Sequence, residues 1–123
     1  MITGIVNANR EATIRLVVRG TEGQAHEIEA IIDTGFTGFL SMPSRLIVSL
    51  GLTWRGYAQA VRADGSLHRF EVYAATVIWD GQARTVETDA AETDPLVGMG
   101  LIYGQDLRIQ CVDGGTVTIG ALS

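Results

Sequence analysis

The chain has 123 residues, 46% of them hydrophobic and 19% charged, which predicts one folded domain spanning residues 1–123 rather than a disordered segment. Fourteen acidic residues against nine lysines and arginines give a net charge of −5, which argues against a nucleic-acid partner because such proteins concentrate positive charge. The apolar runs are far shorter than the roughly 20 residues that cross a membrane, and the N-terminus lacks signal-peptide features. We therefore expect a cytoplasmic protein without a membrane partner.

In the first half of the chain, alternating apolar and polar residues predict strands. Residues 20–23 form a turn between the first two strands, and the second strand ends directly before Asp33. Pro43 and Gly51 are typical of the start and end of a helix, which predicts a short helix at residues 44–50. The strands predicted in this half are residues 13–19, 25–32 and 39–42.

The second half begins with a long hairpin. Strands near residues 52–62 and 67–79 flank Ala63-Asp64-Gly65-Ser66, and Asp-Gly is a strong hairpin signal because glycine tolerates positive φ. The pattern as a whole predicts a mainly β domain, a closed barrel with one short helix. The remaining predicted segments are a strand near 82–90, an acidic loop at 91–95, Leu96-Val97 before Gly98, a helical turn near 99–103, and a hairpin of 107–112 and 116–119.

Few other side chains indicate chemistry. Cys111 alternates with Leu107 and Ile109, which predicts a packed core thiol rather than a nucleophile. No cysteine and histidine cluster has the spacing of metal ligands, so we expect no metal and no cofactor. Four aromatic residues are expected to pack in the core or barrel rather than to stack on a substrate: Trp54, Tyr57, Tyr73 and Trp79.

The most informative segment is Ile31-Ile32-Asp33-Thr34-Gly35. An apolar run that ends in a carboxylate and a tight turn places that carboxylate at the mouth of a core. A turn acid that only caps nearby N–H groups is the simpler interpretation. Followed by the hairpin of Gly65 and by Leu96-Val97-Gly98, however, the segment resembles the retropepsin-like aspartic proteases, in particular their single-domain bacterial relatives.

The resemblance implies an acid-protease barrel with one lobe per chain and one catalytic Asp33 in each. An Asp dyad that activates water would then require a homodimer. One carboxylate cannot act as general base and general acid at the same moment, whereas two close carboxylates that share a proton can divide these roles. It implies that Thr34 braces the two active-site turns and that Gly35 admits the backbone of a polypeptide substrate. Asp64, Gly65 and Ser66 would form the tip of a flap over that substrate.

The chain departs from the retroviral pattern beside Asp33. Phe36 follows where a small residue is common, so we expect it to line or restrict a substrate pocket. Thr37-Gly38 replaces an acidic pair that binds substrate backbone, so Thr37 is a candidate substrate contact. Terminal strands near residues 2–6 and 116–121 could interleave with a second chain. The alternative function is a non-catalytic dimerisation or peptide-binding module of the same fold.

Overall fold

The computed structural model describes all 123 residues, which form ten strands in one sheet and two short helices. The mainly β class is confirmed, and most strands lie where the alternation predicts them. The strands are β1 (Ile2–Val6), β2 (Ala12–Arg19), β3 (Ala25–Ile32), β4 (Leu40–Met42), β5 (Thr53–Val61), β6 (Leu67–Trp79), β7 (Gln82–Ala90), β8 (Leu96–Val97), β9 (Gln105–Ile109) and β10 (Thr116–Ala121).

Two helices, rather than one, interrupt the strands. The helix α1 (Ser44–Leu50) begins after Pro43 as predicted and ends at Gly51, which adopts the left-handed conformation with φ of 62°. The second, α2 (Met99–Ile102), is the helical turn expected near residues 99–103. Neither helix is long and apolar enough to cross a membrane.

The strand pairings bring remote parts of the chain together. The sheet runs in the order β5-β6-β7-β4-β8-β3-β2-β1-β10-β9, and β2 additionally pairs with β6. The pairings therefore lead from β6 through β7, β4, β8, β3 and β2 back to β6. The short strand β8 pairs with two strands, parallel to β3 and antiparallel to β4. It therefore holds together the two strands that flank the loop of Asp33.

The terminal strands pair with each other inside one chain. β1 lies between β2 and β10, and β10 lies between β1 and β9, all antiparallel. Both edges of both strands are therefore used. The expectation that these strands interleave with a second chain finds no free edge here.

The core is a single cluster of 21 buried hydrophobic residues. It forms because alternate side chains of β2 and β6 face inward, including Val18 and Val77, which are fully buried. Ile47 and Leu50 anchor α1 to it. Burial of each such side chain stabilises the fold by about 1.5–3 kcal/mol.

The predicted core packing of four aromatic residues is confirmed for two of them and wrong for the other two. Trp79 is buried, and its indole N–H donates to Gln105 Oε1 at 2.8 Å. Trp54 and Tyr57 are instead 51% and 54% exposed. They belong to β5, which lies at the end of the sheet and has a neighbour on one side only. Tyr73 is half-buried against the core.

The prediction of a core thiol at Cys111 is also wrong. The strand β9 ends at Ile109, three residues earlier than predicted, and Cys111 is exposed. The reason is a tight turn in which Val112 N–H donates to the Gln110 carbonyl and Gly115 N–H to the Val112 carbonyl, both at 2.8 Å. This turn ends the alternation before Cys111, so its side chain does not follow Leu107 toward the core.

Candidate active site

Asp33 lies immediately after β3, half-buried, at the start of a loop that leads to β4. Its backbone N–H donates to the Val97 carbonyl at 2.9 Å, which ties the residue to β8. Its carboxylate Oδ1 accepts the Gly35 N–H at 2.9 Å. The Phe36 N–H donates to the Asp33 carbonyl at 3.1 Å and closes the turn. Oδ2 has no hydrogen-bond partner within the chain, so one oxygen is held and the other is free.

Three further backbone hydrogen bonds fix the loop of residues 33–38 against the start of α2. Met99 N–H donates to the Phe36 carbonyl at 2.8 Å, and Gly100 N–H to the Gly38 carbonyl at 2.9 Å. Gly98 N–H donates to the Phe39 carbonyl at 3.0 Å. The segment Leu96-Val97-Gly98 and the start of α2 thus support the loop.

The Phe36 ring packs into the space left by two glycines. A Cβ atom at Gly38 would lie 2.6 Å from the Phe36 ring, and one at Gly98 would lie 2.7 Å from Phe36 Cδ2 and collide with the Gly38 carbonyl oxygen. Real Cβ atoms do not approach this closely. Phe36 is half-buried in this contact, so part of its surface packs within the loop and the rest remains accessible.

Thr34 and Thr37 are exposed, and neither hydroxyl makes a hydrogen bond within the chain. Thr34 lines a cavity of about 450 Å³ together with Ile32. The exposed hydroxyls are therefore available to a substrate or a second chain.

The candidate flap is the hairpin of β5 and β6. Gly65 has φ of 84°, a conformation that side chains rarely adopt. Asp64 Oδ1 accepts the Ser66 N–H at 2.9 Å and the Ser66 hydroxyl at 2.6 Å. The two hydrogen bonds from Ser66 lower the pKa of the exposed Asp64 carboxyl. These contacts lie within the turn, and no hydrogen bond joins it to the loop of Asp33.

The candidate flap carries four exposed apolar side chains on one face, among polar residues, that the sequence interpretation did not single out. Tyr57 is paired with Glu71, and Val61 with Leu67, in the register that also places Trp54 opposite Tyr73. Directly paired residues share a face of the sheet, so four exposed side chains lie on the face that Tyr73 continues into the core. Simple alternation along β5 does not predict this shared face, because Trp54 and Tyr57 are three residues apart and share a face only through the register shift between Trp54 and Gly56. The four side chains are Trp54, Tyr57, Val61 and Leu67.

A second carboxylate, Asp89 on β7, lies beside the loop and was also missed. Its Oδ2 is 3.5 Å from the position of a Cβ atom at Gly38. Partial burial raises the pKa of Asp89, and the nearby Glu87 charge adds to this effect. Asp89 makes no ion pair. No local signal could reveal it, because its position depends on the parallel pairing of β7 with β4.

The Asp33 carboxylate is the group in this arrangement that can take part in a reaction. No group of three or more histidine, cysteine, aspartate or glutamate residues is placed to hold a metal ion. A half-buried carboxylate with one free oxygen can bind a water and accept its proton. Asp33 supplies such a group on a loop that backbone hydrogen bonds hold in place.

Comparisons with known proteins bear on the fold. No protein-family model and no curated protein matches the chain. The structure is similar to the crystal structure of a retropepsin-like aspartic protease from Rickettsia conorii, with a TM-score of 0.62 and 14% sequence identity. The similarity covers 99% of this chain and 90% of that one. The two proteins share a fold, and the function has to be argued from the site.

Proposed function

We propose that this protein is an aspartic endopeptidase, in which two chains form a homodimer and their Asp33 carboxylates together activate a water that attacks a peptide bond. The observation that carries the proposal is the geometry of Asp33. The residue directly follows the buried Ile32 at the end of β3, Gly35 N–H donates to Oδ1 at 2.9 Å, and Oδ2 has no hydrogen-bond partner within the chain. The shared fold with the Rickettsia protease hints at the same hydrolytic activity.

A dimer follows from the chemistry of peptide hydrolysis. The attacking water must lose a proton and the leaving amine must gain one, and a single carboxylate cannot do both at once. Two adjacent carboxylates divide these roles, because their mutual repulsion keeps one of them protonated. Asp33 occurs once in this motif, so the second carboxylate comes from a second chain.

The neighbouring residues take positioning roles in this proposal. Thr34 has an exposed hydroxyl directly beside Asp33, so it braces one active-site turn against the other. Gly35 orients the carboxylate through its N–H and, lacking a side chain, lets the substrate approach. The exposed faces of Phe36 and Thr37 contact the substrate next to the scissile bond.

The hairpin of β5 and β6 is proposed to close over the peptide, with Asp64, Gly65 and Ser66 at its tip. β5 lies at the end of the sheet, and its unpaired edge is suited to an extended polypeptide, which pairs through its backbone. Closure excludes water and orients the scissile bond.

We also keep three expectations from the sequence as part of this proposal: a closed barrel, a single domain of residues 1–123 and a cytoplasmic location.

Cleavage of a peptide library by wild type and Asp33→Asn, from acid to neutral pH, tests the function. The asparagine keeps the shape of the side chain but cannot take up a proton, so we expect cleavage to fall by about 10²–10⁴-fold or more. Asp94→Asn is the matched control, because Asp94 is an exposed acid in the loop before β8 and its loss leaves cleavage unchanged.

Equal cleavage by wild type and Asp33→Asn would contradict the protease proposal. A dimer that binds peptides with equal affinity in both forms and cleaves none would favour the non-catalytic binding module instead.

A further inference from the structure

The homodimer required by the proposed function needs a contact surface, and the following inference rests on that function. β1 and β10 have no free edge, since both are paired on both sides within one chain. A second chain therefore contacts another surface, and that surface has to bring the two Asp33 loops together.

The cavity beside Thr34 meets this requirement. It has a volume of about 450 Å³, and six of its nine lining residues are hydrophobic. It lies between the loop that joins β1 to β2 and the turn that joins β9 to β10. Ile109 and Val112 line it and are 36% and 64% exposed. Thr34 on its rim is the residue next to Asp33, so a chain seated here lies beside the catalytic loop.

Two opposite charges line the same cavity and remain unpaired within the chain. Arg10 lies on the loop between β1 and β2, and Asp113 lies on the turn between β9 and β10. Neither belongs to an ion pair. Their loops are tied together by the hydrogen bond from Gly114 N–H to the Val6 carbonyl at 2.9 Å. The cavity therefore has an apolar lining and carries one cation and one anion.

We propose that a second copy of this chain docks on this cavity about a two-fold axis. Arg10 of each protomer pairs with the partner's Asp113, and Val112 of each protomer enters the partner's cavity. A two-fold contact is self-complementary, so a surface that holds one cation and one anion forms the same ion pair twice. An apolar centre with a charged rim is the usual composition of such interfaces. Ile32 and Thr34 line the cavity on either side of Asp33 in the sequence, so this contact lies beside the loop that carries Asp33.

Charge reversal tests the contact, with the dimer dissociation constant measured by sedimentation over a protein concentration series. Arg10→Asp and Asp113→Arg each place like charges together twice, so we expect each to weaken the dimer by about tenfold or more. The double variant restores opposite charges and returns the constant to within about threefold of wild type. Arg45→Asp reverses an exposed charge on α1 and leaves the constant unchanged.

Cys111 offers a second readout that does not depend on folding of the variants. It is the one cysteine of the chain, it is exposed, and it lines the cavity. We expect its reaction with a maleimide in wild type to slow severalfold as the protein concentration rises through the dissociation constant. A thiol that reacts equally fast in monomer and dimer overturns this interface.

The outcomes separate this interface from the function on which it rests. If charge reversal leaves the dimer unchanged while Asp33→Asn abolishes cleavage, the contact lies elsewhere, for example along the free edge of β9, and the protease proposal stands. If the double variant restores a dimer that cleaves nothing, the interface is supported and the protease proposal fails. A monomer that cleaves at every concentration overturns both.

Discussion

At Gly38 and Gly98, the backbone of the Asp33 loop lies too close to its neighbours for a methyl group. The obstacles differ in kind. At Gly38 the nearest atoms belong to the Phe36 ring, whereas at Gly98 they include the Gly38 carbonyl oxygen. Gly38→Ala and Gly98→Ala are each expected to lower the free energy of unfolding by about 1–3 kcal/mol through overpacking. Urea denaturation measures both.

Phe36→Ala separates the two obstacles. In that background, Gly38→Ala should cost little, because the ring that it would meet is gone. Gly98→Ala should remain destabilising, because the carbonyl oxygen that it meets is part of the backbone. If both alanines cost the same with and without the Phe36 ring, the packing of Phe36 against these glycines is not what limits the loop.

Asp89 makes the stability of the protein depend on pH. Its pKa in the fold is raised from 3.8, first by burial and then by Glu87, so the ionised form costs stability at neutral pH. This cost is relieved as the pH falls through the raised pKa, and no difference remains well below 3.8. Because water still screens the half-exposed side chain, Asp89→Asn should raise the free energy of unfolding at pH 7 by at most about 1 kcal/mol.

Thermal unfolding of Asp89→Asn and wild type between pH 3 and pH 7 measures this effect, with Asp94→Asn as the control for an exposed acid. The gap between Asp89→Asn and wild type should close toward acid pH. If Asp89→Asn is instead less stable than wild type at pH 7 and this deficit disappears toward acid pH, the ionised Asp89 stabilises the fold.

The sequence alone identifies Asp33 and Gly35 in the candidate site, but it does not identify Asp89. Asp33 and Gly35 stand out because an acid that ends an apolar run and begins a tight turn lies at the mouth of a core. Asp89 has no such signature, because its neighbour Gly38 is brought to it by strand pairing. Cys111 was misassigned because the alternation before it continues into a turn.

Among the elements, the hairpin of β5 and β6 has the most direct functional test. Gly65→Ala forces a side chain into φ of 84°, at a cost of about 1–3 kcal/mol in the turn. Gly23, with φ of 83°, has the same conformation in the turn between β2 and β3, and both positions are open to solvent. If the hairpin is the flap, Gly65→Ala lowers kcat severalfold and Gly23→Ala does not.

Unfolding experiments on the two variants provide the control, since a similar backbone strain should lower their stability similarly. Equal kinetics in Gly65→Ala, Gly23→Ala and wild type would remove the flap role from this turn.

The periodicity of the sequence predicts elements better than it predicts their surroundings. Alternation located β2, β3 and β6 within a residue or so, because a repeat of two is imposed by the strand itself. It could not tell that the face of Trp54 and Tyr57 is uncovered. That depends on β5 being the last strand of the sheet, which is a property of the complete set of pairings.

For the whole molecule, the proposed dyad predicts how mixed dimers behave. When wild type is allowed to exchange subunits with an equal amount of Asp33→Asn, about a quarter of the dimers contain two Asp33 residues. Total cleavage should therefore fall to about half of the value for the same wild type alone. Peptide cleavage after incubation measures this, with Asp94→Asn as the mixing partner in the control.

Unchanged cleavage after complete subunit exchange would show that one Asp33 is enough. The exchange itself can be followed independently by differently tagged chains, so a failure to mix is distinguished from a failure to inhibit.

The architecture as a whole was the least accessible to sequence reasoning. The class and the number of long strands follow from local pattern, but the order of strands joins residues far apart, as in β1 with β10 or β2 with β6. Whether the terminal strands have an unpaired edge also depends on this order of strands. It decides whether a second chain can pair with them, and neither terminus signals it.

Because β1 pairs with β10 inside one chain, we expect the proposed dimer to dissociate without unfolding of its subunits. If the subunits of the proposed dimer part, the hydrogen bonds between β1 and β10 stay intact, so each monomer keeps its sheet and its core. Dilution should then abolish the proposed peptidase activity while the circular dichroism of the protein stays constant, and a return to high concentration should restore activity without refolding. Activity would follow the square of the amount of protein in a compartment, so expression level alone acts as a reversible switch.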